Sequence, residues 1–174
     1  MHSLTTRCFV LIVSLSLTSK VIAVESDDRS REYALKTAYV FHFAELVQWP
    51  DPNLSSINLC LQDSNRLARY IGVLEGQTIG SAIVHVKTDY PKTIESCQML
   101  LLSAFDELSV ALQDQARVQH ILLLSDQEDF VAHGGMLEFT RHDDKLNLVV
   151  NLKAVKQAGL KMSSKLLRMA KIVE

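Results

Sequence analysis

The chain has 174 residues, 48% hydrophobic and 22% charged, with a formal net charge of −2. That length suits one domain with a sizeable core, and a slightly acidic balance excludes binding to nucleic acid through global charge. No stretch after the first 23 residues is apolar for the roughly 20 residues that a helical membrane span requires, and no Pro-rich, Gly/Ser-rich or charge-run linker divides the chain.

Residues 1–23 read as a cleaved secretory signal, with Arg7 as the positive flank, 8–17 as a short greasy core and Val21-Ile22-Ala23 as the small-residue cleavage site. Cleavage after Ala23 leaves 24–174 as a single extracytoplasmic domain. Cys8 lies inside the greasy core rather than at the cleavage point, so no lipid attachment is expected. Cys60 and Cys97 remain, and in an oxidising compartment an even pair is expected to bridge; the alternative is two buried free thiols.

From 31 to 49, Leu35, Ala38, Tyr39, His42, Phe43, Leu46 and Val47 recur at helical spacing until Pro50 and Pro52 stop the pattern. A strand over 57–61 carries Cys60, a polar-capped helical stretch covers 65–74, and Gly76 and Gly80 mark turns before a strand at 83–86. After Pro91 and Cys97 come an apolar run at 99–102, a helical stretch at 104–115 and a second apolar run at 120–124 that opens with His120 as a strand-edge residue. Runs apolar on both faces suit strands buried in a parallel sheet. Cys60 and Cys97 at the starts of two neighbouring strands would then lie within bridging reach. A short helix at 127–133 ends at Gly134-Gly135, and strands at 136–141 and 145–150 flank the polar tip His142-Asp143-Asp144. Asn151 opens a final helical region broken at Gly159, with Ser163 or Ser164 capping a last helix through Ala170. These elements predict an α/β sandwich, its sheet mostly parallel and flanked by helices, with an antiparallel hairpin near the C-terminus.

Catalytic equipment is not evident. There is no G-x-S-x-G, H-E-x-x-H or C-x-x-C motif, and Gly72, Gly76 and Gly80 lack the lysine and hydroxyl of a phosphate loop. His133, Glu138 and His142 straddle a glycine turn and a strand, a chance grouping rather than a metal site. Asp126, Glu128 and Asp129 follow the strand ending at Leu124 and are explained by helix capping and dipole. The expectation is therefore no catalytic residue, no metal and no cofactor.

Two surfaces stand out. Phe41 is off the apolar stripe of the first helix, where either a partner or the rest of the domain covers it. Lys153, Lys156, Lys161, Lys165, Arg168 and Lys171 face a single acid, Glu174, which suits an acidic partner, anionic headgroups, or simply a solvated face.

Glu32-Tyr33-Ala34-Leu35-Lys36, Phe41, Phe43-Ala44 and Val47-Gln48-Trp49-Pro50 resemble the opening signature of the YfiR-like family of periplasmic proteins. Gly134-Gly135-Met136, Val150-Asn151-Leu152 and the run from Ala158 to Ala170 are similar to its closing block, and Cys60 with Cys97 is similar to a cysteine pair of that family. The resemblance implies a Rossmann-like domain without catalytic activity. It also implies a periplasmic repressor that binds the periplasmic part of a membrane-bound diguanylate cyclase and lowers cyclic di-GMP, with an outer-membrane lipoprotein able to sequester it. A second cysteine pair carried by some relatives near the last hairpin is missing, which puts redox control through it in doubt.

For partner contact the expected residues are Asn151, Leu152, Lys165 and Arg168, with Phe41 on the first helix. Self-association as a homodimer stays open. The competing expectation is a small-molecule binding protein with a crevice at the strand carboxyl ends near Ser103 and Ser125; a hydrolase ranks third.

Overall fold

The apolar runs at 99–102 and 121–124 become the buried centre of an α/β sheet, as two-sided hydrophobicity requires. The computed structural model describes residues 19–90, 92, 94–103, 107–142 and 145–173, with 19–27 described by backbone alone. Most of the expected signal, residues 1–18, lies outside the described residues, as do Pro91, residues 104–106 of the expected 104–115 helix, Asp143-Asp144 of the hairpin tip, and Glu174. No helix of the described residues is long and apolar enough to cross a membrane.

In chain order the elements are α1 (Ser19–Leu46), β1 (Val47–Gln48), β2 (Ser56–Leu61), α2 (Ala68–Ile71), β3 (Thr78–Ile79), β4 (Ala82–Lys87) and β5 (Met99–Leu102). Then follow α3 (Val110–Gln119), β6 (Leu122–Ser125), β7 (Leu137–His142), β8 (Lys145–Asn151), α4 (Leu152–Gln157), β9 (Lys161–Met162), α5 (Ser164–Leu167) and β10 (Lys171–Val173). The main sheet has eight strands in the order β10-β8-β7-β6-β5-β2-β4-β3. Its five central strands, β7 to β4 in that order, run parallel; β3 is antiparallel at one edge, and the β7–β8 hairpin reverses direction at the other. This is the expected fold class.

Several local expectations need correction. The buried face of α1 is Tyr33, Lys36, Thr37, Val40, Phe43 and Ala44, whereas Leu35 is 46% exposed. The stripe is displaced because two polar residues sit on it: Thr37 Oγ1 donates to the Tyr33 carbonyl, and Lys36 is neutralised as described below. The last turn of the expected helix, at 47–48, is instead strand β1, paired antiparallel with β9 in a separate two-stranded sheet. Residues 127–133 are successive turns rather than a helix, because the buried Glu138 carboxylate accepts the backbone N–H groups of Asp129 and Val131 and takes over their hydrogen bonding. His120 is not a strand-edge residue but the left-handed end of α3 (φ 60°), its ring hydrogen-bonded to the Ala158 carbonyl. The final helix stops at Leu167, and β10 joins β8 in parallel, with Lys171 opposite Val149.

Candidate functional site

In open α/β sheets the natural ligand crevice lies beyond the strand carboxyl ends. Here α1 occupies part of that place. Asp126 directly follows β6, and Lys36 Nζ donates to its Oδ2 at 2.8 Å while also lying 2.8 Å from Glu32 Oε1 one helical turn back. Burial alone pulls the Lys36 pKa down, but the hydrogen bonds to Asp126 and Glu32 and their charges outweigh it and leave the ammonium above its ordinary value. Glu32 also binds Arg141 on β7 at 3.1 Å, so an ion network fastens α1 to both β6 and the hairpin. Tyr33 extends the seal by stacking on Tyr70 of α2, ring centroids 5.1 Å apart.

Ser125, one of the two serines marking the alternative ligand crevice, is fully buried and donates to the Leu102 carbonyl. Ser103 Oγ is buried and has no hydrogen-bond partner among the described residues. Among the described residues no group of three or more His, Cys, Asp or Glu side chains is arranged to hold a metal ion.

Cys60 and Cys97 form a disulfide with Cα atoms 5.8 Å apart. Contrary to the expected placement at two strand starts, Cys60 is the penultimate residue of β2, while Cys97 precedes β5, whose residue Leu100 lies opposite Cys60. Both cysteines are buried, so solvent reductants meet no exposed sulfur.

The closing block is ordered by two helix caps. Asn151 Oδ1 accepts the Ala154 N–H at the start of α4, and its Nδ2 donates to the Val131 carbonyl. Ser163 Oγ accepts the Leu166 N–H at the start of α5. Leu166 is buried and anchors α5, which leaves Lys165 and Arg168 exposed on its outer side. Of the five expected contact residues, Lys165 lies on α5 and Arg168 directly follows its end, and Asn151 and half-buried Leu152 adjoin at the end of β8. Phe41 is elsewhere: half-buried, it lines a small apolar cavity with Val40, Ala44, Ile57, Leu59 and Met99 over β2 and β5. Lys165 and Arg168 thus precede β10, Asn151 ends β8, the strand with which β10 pairs, and Phe41 lies over the middle of the sheet.

Lys36 and Asp126 were not singled out as a pair by sequence reasoning. The available signal was a lysine four residues after Glu32 and in phase with Tyr33, Val40 and Phe43, a charged position inside an apolar stripe.

The family described as YfiR/HmsC-like matches residues 33–171. No curated protein matches the chain. Among solved structures, a conserved domain protein from Vibrio cholerae O1 biovar El Tor shares this fold, with a TM-score of 0.51 and 11% identity over 79% of this chain. The match spans 60% of that protein's length.

Proposed function

The chain belongs to the YfiR/HmsC-like family, and from that premise we propose that it is a non-enzymatic periplasmic regulator. It binds the periplasmic part of a membrane-bound diguanylate cyclase, holds that receptor in an inactive arrangement and so lowers cyclic di-GMP inside the cell. The carrying observation is the extent of the match, which runs from Tyr33 on α1 to Lys171 on β10 and so takes in nearly all of the described fold. Regulation by occupancy needs no reacting groups. It requires that the domain bind one receptor state more tightly than the other, since equal affinity would shift nothing.

The geometry favours this reading over small-ligand capture. Where an α/β sheet would accept a ligand past β6, Lys36 of the chain itself is tied to Asp126. The exposed Lys165 and Arg168, with Asn151, Leu152 and Phe41, are the contact residues we assign to the receptor. An outer-membrane lipoprotein that sequesters the regulator would relieve the repression.

The test is removal of the protein from its native cells, together with a reciprocal pulldown from envelope extracts. Deletion should raise cyclic di-GMP, and the pulldown should recover a membrane protein with a cyclase domain. Unchanged cyclic di-GMP together with no such capture would overturn the proposal. Charge reversal of Lys165 with Arg168 should weaken capture, and if both this variant and Phe41→Ala bind as well as the parent, the contact assignment fails.

A further inference from the structure

All 20 Asp and Glu residues lie outside 145–173, while that segment carries Lys145, Lys153, Lys156, Lys161, Lys165, Arg168 and Lys171. All seven cations are exposed, and among the described residues none of their side chains forms an ion pair. Elsewhere Lys36, Arg117 and Arg141 are each matched to carboxylates. The segregation is spatial as well as sequential. β10 is the outer strand of the main sheet, with α5 leading directly into it and α4 packed close by. The cations of α4, α5 and β10 thus border one sheet edge. Lys171 and Ile172 are both exposed, so both faces of that outer strand meet solvent.

From this we infer that the β10 edge is a membrane-facing rim that binds anionic phospholipid headgroups. Six of the seven cations are lysines, point charges spread over β8, α4, β9, α5 and β10 rather than gathered on one element. That arrangement fits a diffuse sheet of phosphates better than the planar, bidentate fit by which arginine recognises a single carboxylate. The rim also exposes Met169 (45%) and Ile172 (37%) between Arg168, Lys171 and the end of β10. Cations interleaved with exposed apolar side chains are what interfacial binding uses, the former for headgroups and the latter for the acyl boundary. The acidic remainder of the molecule is repelled by the same surface, so the charge asymmetry orients the domain with β10 toward the bilayer. The lipid reading shares Lys165 and Arg168 with the proposed receptor contact, and a vesicle assay that contains no protein partner separates the two.

The experiment uses the purified protein and vesicles of phosphatidylglycerol mixed equally with phosphatidylcholine, against vesicles of phosphatidylcholine alone, read by co-sedimentation at low salt. The expected result is binding to the anionic vesicles only, weakened about fivefold for each rim cation removed and abolished at high salt. Lys165→Glu with Arg168→Glu and Lys171→Glu should lose binding. Arg66→Glu with Arg69→Glu, exposed cations on the α2 side, should retain it, with circular dichroism confirming that both variants fold. No sedimentation of the parent protein with anionic vesicles at low salt would overturn the inference. So would equal binding to neutral vesicles, or a triple reversal that leaves lipid binding intact. If the triple reversal abolishes capture of a protein partner while the parent ignores lipid, the rim belongs to an acidic protein and the lipid assignment is wrong.

Discussion

Lys36 on the first helix and Asp126 after β6 are 90 residues apart in sequence and joined by a 2.8 Å hydrogen-bonded ion pair, with the Lys36 residue only 6% exposed. Replacing Lys36 by Met keeps the apolar stem and strands the charges of Asp126 and Glu32. Both carboxylates retain some solvent access, so the cost is below that of a fully buried pair, about 2 kcal/mol in urea unfolding. The pH dependence has a definite sign. The folded-state pKa lies above the ordinary 10.5, so the stabilisation is complete below that value and is lost as the pH rises through the shifted one. Lys36→Met should lack this alkaline loss; an unaltered stability profile above pH 10.5 would show that the pair contributes nothing.

The disulfide closes a loop between residues 37 positions apart, and removing it by Cys60→Ser with Cys97→Ser should cost about 4 kcal/mol in the chain-entropy estimate. Since both residues are buried, dithiothreitol should reduce the native protein only as fast as the domain opens, and denaturant should accelerate the reaction steeply. Rapid reduction under native conditions, followed by thiol labelling, would contradict that burial.

Asn151 serves as a cap as well as a candidate contact, and the two roles can be separated. Asn151→Ala should cost about 1 kcal/mol, while Asn151→Asp keeps an acceptor for the Ala154 N–H but loses the Nδ2 donor to the Val131 carbonyl, and so should recover only part of that loss. Ser163→Ala should cost about as much, and the two losses should add because the caps serve different helices. Thermal melts of the three single variants and the Asn151→Ala/Ser163→Ala pair would check this.

Gly135 is constrained by space rather than by its backbone angles. A Cβ there would run into the ring of Phe130, which is fully buried and cannot swing away. Gly135→Ala should therefore cost about 3 kcal/mol by overpacking. Adding Phe130→Leu should recover part of it, whereas an equally unstable double variant would point to a cause other than this clash.

The sheet was largely legible because its central strands must be apolar on both faces, as Met99-Leu100-Leu101-Leu102 and Leu122-Leu123-Leu124 are. Strand β10 was not legible: three residues after a capped helical turn carry no periodic signal, and only pairing with Val149–Asn151 makes Lys171–Val173 a strand. The phase of α1 was misread because Lys36 and Thr37 look solvent-facing until their partners, Asp126 and the Tyr33 carbonyl, are known. At the candidate surface, the capping signals of Asn151 and Ser163 could be read directly from residue type and position. The separation of Phe41 from the closing block depends on strand order, which local sequence does not encode.

The small β1–β9 pairing joins Val47 to Met162, and the Ser163 N–H reaches the Leu46 carbonyl at 2.9 Å. This clasp gives the molecule a timetable. The end of α1 is made early but is secured by residues made more than a hundred positions later, so native docking of the first helix must wait for nearly the whole chain. During that interval Phe43 and Val47, buried in the finished domain, lack part of their final cover. A chaperone that shields early apolar segments would therefore matter most between the synthesis of α1 and the arrival of β9.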